Sequence, residues 1–429
     1  MQINKNSFLF LLFYITFISA ADNSVDISRI PSPPSSVFLD YAASWAVSDA
    51  AAVKFLEINK LCGNSSGINP HAKYLKHLEI QSAKILADKI GAEPEQIYFT
   101  SGATAANNIA ILGVAYKNPK CHLITSKIEH KSVLNVFQHL EKSGYKVTYL
   151  DVDKHGNIDL EQLERSIKQN TKLISIQMFN SEIGTLQNIT AIGEIARKHN
   201  ILFHTDAAQS FCKYDINISR MNIDMLTIAG HKVGAPKGIG ALFVRDIDKL
   251  QPIMFGSGDE LFPGTKPTAL IYAFAEAVKN FKFDKEKVTQ NYILLKQKLS
   301  KIKGVYINSS NPSHIISISI EGVLIDDLLE RTKEYSFSAG CSCLGTKQSN
   351  VIQAIDPEGK LPQTTIRISF SDHVDENSLL KFADKIKSVI EQLRKEKSVT
   401  KSCEKEQSNI TKRKLDIHLN EIQKFLSNK

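Results

Sequence analysis

Two apolar runs, each ending abruptly in a cluster of hydrogen-bonding and charged residues, constrain this chain more than anything else in it. Ile201 to Phe203 runs into His204, Thr205 and Asp206, with Gln209 a short step further. Met225 to Ala229 runs into Gly230, His231 and Lys232, and the Gly/Pro-rich stretch VGAPKGIG follows. Short apolar runs that stop this way read as buried strands of a parallel α/β sheet, whose two faces are both covered. Ligands bind at the carboxyl edge of such sheets. A carboxylate, Asp206, and an amine, Lys232, are thus expected just past two strand ends.

Each residue alone has a plainer reading, Asp206 as a helix N-cap and Lys232 as a surface lysine. Together they meet the needs of one cofactor. Pyridoxal phosphate requires a lysine for covalent attachment and a carboxylate that keeps its pyridine nitrogen protonated.

With 429 residues and 42% apolar content, the chain can bury more than one core, so two domains are expected. The net charge of +8 is modest, and much of it lies in the Lys-rich tail after Leu393, which is not a nucleic-acid footprint. Six cysteines without CxxC pairs or metal-ligand spacing give neither a disulfide framework nor a metal site.

The first residues stand apart. A lysine-bearing start, an apolar run from Phe8 to Ile18 and the small residues Ser19, Ala20 and Ala21 form a signal-peptide pattern. The run is short for a spanning helix, although an uncleaved membrane anchor is the other reading. Residues 1–21 are assigned to this segment, 22–36 to a Pro/Ser-rich linker, and the fold is expected to begin at Val37.

Further strand-to-helix junctions follow. IYFTSGATAANNIAILG (Ile97 to Gly113) runs from a β-branched and aromatic strand into Ser101, Gly102, Ala103 and Thr104, and then a helix. Free backbone N–H groups at that helix start, with a hydroxyl, suit a phosphate dianion, so Ala103 and Thr104 are assigned to it. HLITSKIEHKSVLN (His122 to Asn135) is a strand, a loop bearing His130, and a helix. A strand, an amphipathic helix near Asp159 to Gln169 and another strand lead to FNSEIGTLQNI (Phe179 to Ile189). Past Leu270 a long helix leads into a second domain, where TTIRISF alternates as a strand around Arg367. After that strand Leu379, Leu380, Phe382, Ile386, Val389 and Ile390 have the spacing of an amphipathic helix.

These motifs, in this order, resemble the cysteine desulfurase branch of the class V aminotransferase family over residues 37 to 395. VFLDYAASW resembles its LDxAATT opening, with Ser44 and Trp45 in place of the threonines. GNSSGINPH resembles GNPSSxH, TSGATA resembles TSGATE, IEHKSVL resembles TEHKAVL, and FNSEIGTLQ resembles NNExGxxQ. DAAQ, GHK and PKGIGAL complete the set. The resemblance implies an aspartate aminotransferase-like α/β fold, the fold type I of pyridoxal phosphate-dependent transferases. Its large, mostly parallel-sheet domain would span residues 37–265. A smaller α+β C-terminal domain would span 266–395, with a polar tail over 396–429. That tail has no counterpart in the resemblance and reads first as a solvated tail, with Leu415, Leu419, Ile422 and Leu426 at the spacing of a short partner-binding helix as the other reading.

The resemblance also distributes roles. Lys232 would carry the cofactor covalently and act as base at the substrate Cα, with Asp206 on the ring nitrogen and Gln209 on the ring oxygen. His130 would stack on the ring and handle protons, and His231 joins the cofactor-binding set. Asn180 and Ser181 would contact substrate, Ser181 standing where the family has a second asparagine. Arg367 would grip the substrate carboxylate as a bidentate clamp. Thr265 would reach the phosphate of a neighbouring subunit, which implies a homodimer. In SFSAGCSCLG the family register places the nucleophilic cysteine at Cys343, while Cys341 falls on a small-residue position. Ala229 replaces a phosphate-binding serine and Phe262 an arginine. The implied activity turns L-cysteine into L-alanine and leaves sulfur as a persulfide for iron–sulfur or other assembly on an acceptor protein. A selenocysteine lyase and, from a different class, a non-catalytic dimeric scaffold share nearly all these motifs.

Overall fold

The computed structural model describes residues 36–339, 349–362 and 364–398. The signal-like segment 1–21, Cys341, Cys343 and the tail beyond 398 lie outside these residues. In chain order the elements begin with β1 (Val37–Phe38), α1 (Asp49–Asn59), α2 (Pro70–Asp88), β2 (Ile97–Thr100) and α3 (Ala103–Lys117). Next come β3 (His122–Ser126), α4 (Lys131–Lys142), β4 (Lys146–Leu150), α5 (Leu160–Arg165) and β5 (Thr171–Ser175). Then follow α6 (Ile189–Lys198), β6 (Leu202–Asp206), β7 (Met225–Ala229), β8 (Gly240–Val244), α7 (Thr268–Asn280) and α8 (Lys285–Leu299). The last are β9 (Val305–Ile307), β10 (Ile315–Ile320), α9 (Ile325–Glu330), β11 (Tyr335–Ser336), β12 (Ser338–Ala339), α10 (Asn350–Ile355), β13 (Thr364–Ser369) and α11 (376–398).

A seven-stranded sheet in the order β2-β8-β7-β6-β5-β3-β4 forms the centre of the first core. All its pairings are parallel except the two made by β8, which runs against β2 and β7. Successive residues of a strand point to opposite faces, and here both faces are apolar. Ile124, Ile174, Leu226 and Phe243 face one cluster with helices α2, α6 and α7. Their neighbours Leu123, Leu173, Met225 and Leu242 face a second cluster with α3 and α4. This two-sided burial is why the strands read as continuous apolar runs.

The second core lies on the antiparallel sheet β12-β13-β10-β9, covered by α8 and α11. Leu379, Phe382, Ile386 and Ile390 of α11 pack there against Ile316, Ile318, Ile366 and Ile368. Leu39, from the start of the chain, is buried in the same cluster, and β1 pairs with β11. Helix α7 instead buries Ile271, Phe274 and Val278 in the first core.

Two local expectations differ from the structure. The helix expected over Asp159 to Gln169 is only Leu160–Arg165, capped by the Asp159 side chain on the Glu161 N–H. Its end is set by Lys168 and Thr171, whose N–H···Oγ1 bond of 2.7 Å starts the next strand. Asp206 does not follow its strand but ends it, because His204 bonds sideways to Ser175 Oγ (2.8 Å) and Thr227 Oγ1 (3.0 Å) and keeps the strand extended.

One contact makes a direct stability forecast. A Cβ on Gly193, in the middle of α6, would sit 2.0 Å from the Met221 carbonyl oxygen. Alanine is ordinarily the better helix residue, yet Gly193→Ala should destabilise by about 1–3 kcal/mol through overpacking. A lowered midpoint in chemical denaturation checks it; a raised one contradicts the packing described.

Candidate active site

The carboxyl ends of β2, β3, β5, β6 and β7 share one edge of the large sheet, and a cavity of about 700 Å³ opens there. Its walls bring together Ala103, Thr104, His130, Ser181, Asp206, Gln209, His231, Lys232 and Arg367. Asn180 and Thr265 are not among them.

One end of the cavity is the start of α3. Gly102 caps this helix with φ +147° and ψ 177°, a backbone conformation closed to most L-residues, and Thr100 Oγ1 donates to its carbonyl at 3.0 Å. The first N–H groups of a helix have no acceptor within it. No acidic residue occupies the first turn of α3, so these N–H groups and the helix dipole are available to an anion. Ala229, on the facing strand end, also lines this wall.

The middle of the cavity carries Asp206 and His130. Asp206 Oδ2 accepts from Asn107 Nδ2 at 2.8 Å, and its Oδ1 from the Ala208 N–H at 2.9 Å. A carboxylate held this way can face a protonated ring nitrogen. His130 caps α4, its Nδ1 accepting from the Ser132 N–H at 3.1 Å. Loss of hydration lowers its pKa first; the Asp206 charge opposes this, and Lys232 and Lys131 add to it.

Lys232 ends the single turn Gly230–Lys232 that follows β7, and its Nζ donates to the carbonyls of Ala42 and Ala43. Burial lowers its pKa to about 8, with the Arg367 charge adding and Asp40 and Asp206 opposing. A neutral amine is therefore accessible near physiological pH. Beside it, loss of hydration and the neighbouring lysines bring His231 to about 4, so its imidazole is neutral.

Arg367 enters from β13 of the other sheet. Its Nη1 donates to the Ser181 carbonyl (2.9 Å), and its Nη2 to Asp40 Oδ1 (2.8 Å) and Ser338 Oγ (2.9 Å). Its Nε is buried without a partner among the described residues. An arginine fixed on three sides with a donor to spare is suited to a carboxylate ligand.

Two expected roles, those of Asn180 and Gln209, differ from what the structure places. Asn180 is buried and fully engaged: its Oδ1 accepts from the N–H groups of Glu182 and Ile183, and its Nδ2 donates to the Ile128 carbonyl. A buried amide must satisfy both ends, so Asn180 builds the turn that presents Ser181 rather than touching a ligand. Gln209 lines the cavity, but its Nε2 donates to the Ala42 carbonyl (2.7 Å) and its Oε1 has no partner among the described residues. A half-turn of the amide is needed before it can donate to a ring oxygen. Thr265 lies exposed on the loop after β8, away from the cavity of its own subunit.

The sequence reading did not anticipate four other residues. Asp40 pairs with Arg367, while Asn107 and Ser132 stand behind Asp206 and His130. Lys213 is buried and donates to the Lys232 carbonyl at 2.9 Å, with Trp45 and Phe281 rings 5.4 and 5.6 Å from its Nζ. Desolvation brings it to about 7. Asp40 was within view as the acidic residue of LDYAASW; Lys213, in the polar stretch after Phe211, carries no signal that separates it from a surface lysine.

The family model described as aminotransferase class V matches residues 37–382. Cysteine desulfurase IscS of Neisseria gonorrhoeae is 38% identical over 83% of this chain and 93% of its own length. The mitochondrial cysteine desulfurase of Candida maltosa is 36% identical over 77% of this chain and 72% of its own. Among solved structures, SspA in complex with cysteine is 38% identical, covers 79% of this chain and all of its own, and superposes with a TM-score of 0.71. A NifS-like protein gives 26% identity and a TM-score of 0.76 over 83% of this chain and 99% of its own. From the strand-end cavity, its paired carboxylate and lysine, and these likenesses together, the chain belongs to the class V aminotransferase family, among its cysteine desulfurases.

Proposed function

We propose that this chain is a cysteine desulfurase that uses pyridoxal 5′-phosphate to convert L-cysteine to L-alanine, passing the sulfur to Cys343. The observation that carries the proposal is the convergence of Lys232, Asp206, Arg367 and the open start of α3 on one cavity. The residues suit the cofactor in two ways. The N–H groups of α3 suit its phosphate, and the Asn107-held Asp206 its pyridine nitrogen. When bound, the cofactor supplies an electron-withdrawing ring that accepts the electron pair left as the substrate Cα proton departs.

The protein's own groups do the rest. Arg367 orients the substrate carboxylate, and Lys232, neutral in part near pH 8, takes the Cα proton. Cys343 as thiolate attacks the substrate sulfur; an S–S bond forms, the C–S bond breaks, and the alanine carbon skeleton takes up protons. In the sequence Cys343 lies five positions beyond Ser338, whose hydroxyl accepts the Arg367 Nη2 hydrogen bond. A homodimer is consistent with the loop bearing Thr265, on which Phe255 is 87% exposed. The persulfide would then be handed to a sulfur-acceptor protein such as an iron–sulfur scaffold.

Release of alanine and sulfide from L-cysteine by the purified protein tests the reading directly. Lys232→Ala should lower that release by at least about 10²-fold, the scale of a lost acid–base group. Near wild-type turnover in this variant would place the reaction elsewhere, and no turnover by the wild type on cysteine would favour the scaffold or selenocysteine readings.

Ala229 leaves the phosphate wall without a hydroxyl. Ala229→Ser adds a hydrogen bond to a charged group, worth about 1.5–3 kcal/mol, so cofactor loss on dialysis should slow at least about tenfold. An unchanged loss rate would show that this position does not face the phosphate.

Mass spectrometry of cysteine-treated, alkylated protein locates the persulfide. Extra sulfur should appear on Cys343, vanish in Cys343→Ser and persist in Cys341→Ser. The reverse pattern would move the nucleophile to Cys341.

A further inference from the structure

We propose that Asn107 and Ser132 are positioning residues that fix the His130 ring as the tautomer with its proton on Nε2, presenting an N–H donor at the cavity rather than a base. The geometry forms an unbranched chain from Asp206 to His130. Asn107, on α3, is fully buried, and its Nδ2 lies 2.8 Å from Asp206 Oδ2 and 2.8 Å from Ser132 Oγ. Ser132 Oγ in turn lies 2.8 Å from His130 Nδ1.

The direction of each bond can be worked out. An ionised carboxylate only accepts hydrogen bonds, so the nitrogen and not the oxygen of the Asn107 amide must face Asp206. The opposite orientation would bring two acceptors within 2.8 Å of each other. The amide nitrogen has two hydrogens, and the second goes to Ser132 Oγ. That hydroxyl, having accepted, is left to donate its own hydrogen to His130 Nδ1. The Ser132 backbone N–H reaches the same nitrogen at 3.1 Å. Two donors aimed at one ring nitrogen require a lone pair there, so the proton of the neutral ring sits on Nε2. Asn107 Oδ1 is buried without a donor among the described residues, so the amide is held by its two donations.

The same arrangement opposes the imidazolium, because a proton on Nδ1 would meet both Ser132 donors. The charged groups facing the ring are Asp206, which favours the cation, and Lys232 and Lys131, which disfavour it. The adjacent Glu129 is turned away, accepting from Ser126 Oγ and the Gln177 N–H. Alanine stands at the Ser132 position in the TEHKAVL motif, so the hydroxyl link is a feature of this chain that the motif lacks.

The test reads the ring rather than turnover, so it stands whether or not the proposed reaction does. Full-length protein labelled with 15N-histidine is examined by long-range 1H–15N correlation, His130 being assigned by the signal lost in His130→Gln. The expected spectrum shows Nδ1 as an unprotonated nitrogen and Nε2 as N–H. Ser132→Ala leaves only the backbone N–H on Nδ1, so it should weaken the tautomer preference and raise the pH at which the ring titrates, and Ser132→Thr should restore the wild-type pattern. A wild-type ring protonated on Nδ1 would overturn the proposal even if no Ser132 variant folds. So would a Ser132→Ala ring with unchanged tautomer and titration.

Discussion

The site depends on the demand of a short irregular segment, Leu39 to Trp45, for hydrogen-bond partners. Backbone N–H and C=O groups outside regular structure must be satisfied somewhere, and this segment finds its partners on both sheets. Leu39 bonds to Ser336 and Ser369, and Ala42 N–H reaches Ser369 Oγ. On the other side, the Trp45 N–H donates to the His231 carbonyl, and the Ala42 carbonyl accepts from both Lys232 and Gln209. One stretch of backbone thus sets the spacing between the lysine and the arginine. The two side chains that bond Ala42 are the two that a cofactor would draw away from it.

The charges follow from this placement. Arg367 and Asp40 form a largely buried pair at 2.8 Å. Loss of one partner of such a pair commonly costs about 3–5 kcal/mol, because the other is left uncompensated. The pair also acts on Lys232: Arg367 lowers its pKa and Asp40 raises it, so the two partly cancel and desolvation dominates. Lys213 extends the same logic one layer deeper. It has aromatic faces and a carbonyl for company, and desolvation favours its neutral amine.

Much of this architecture was legible in the sequence because burial on both faces of a parallel sheet writes itself as short apolar runs. The residues after each run are the ones the cavity gathers: Ala103 and Thr104 after Ile97–Thr100, His130 after His122–Ser126, Lys232 after Met225–Ala229. What escaped was set by partners distant in the chain. Asn180 reads as a ligand contact until the Ile128 carbonyl and the turn N–H groups are seen to consume its amide. Asp40 and Arg367 belong to different motifs, and neither announces the other. A lysine in a sequence argues for the surface; the Lys232 carbonyl and the aromatic rings of Trp45 and Phe281 are what make burial of Lys213 tolerable.

The Asp40–Arg367 pair spans 327 positions of the chain. At ribosomal speeds of roughly 5–20 residues per second, its two halves emerge on the order of tens of seconds apart. Once Lys232 has been made, the first half of the site can exist while Asp40 has no counter-ion and, until Tyr335 and Ser336 follow, the β1–β11 pairing has no second strand. The nascent chain can complete the large sheet but not close the site over it. Completion of the catalytic pocket is therefore coupled to synthesis of the chain through Arg367, and a polypeptide cut between Lys232 and Arg367 would present the lysine without the arginine.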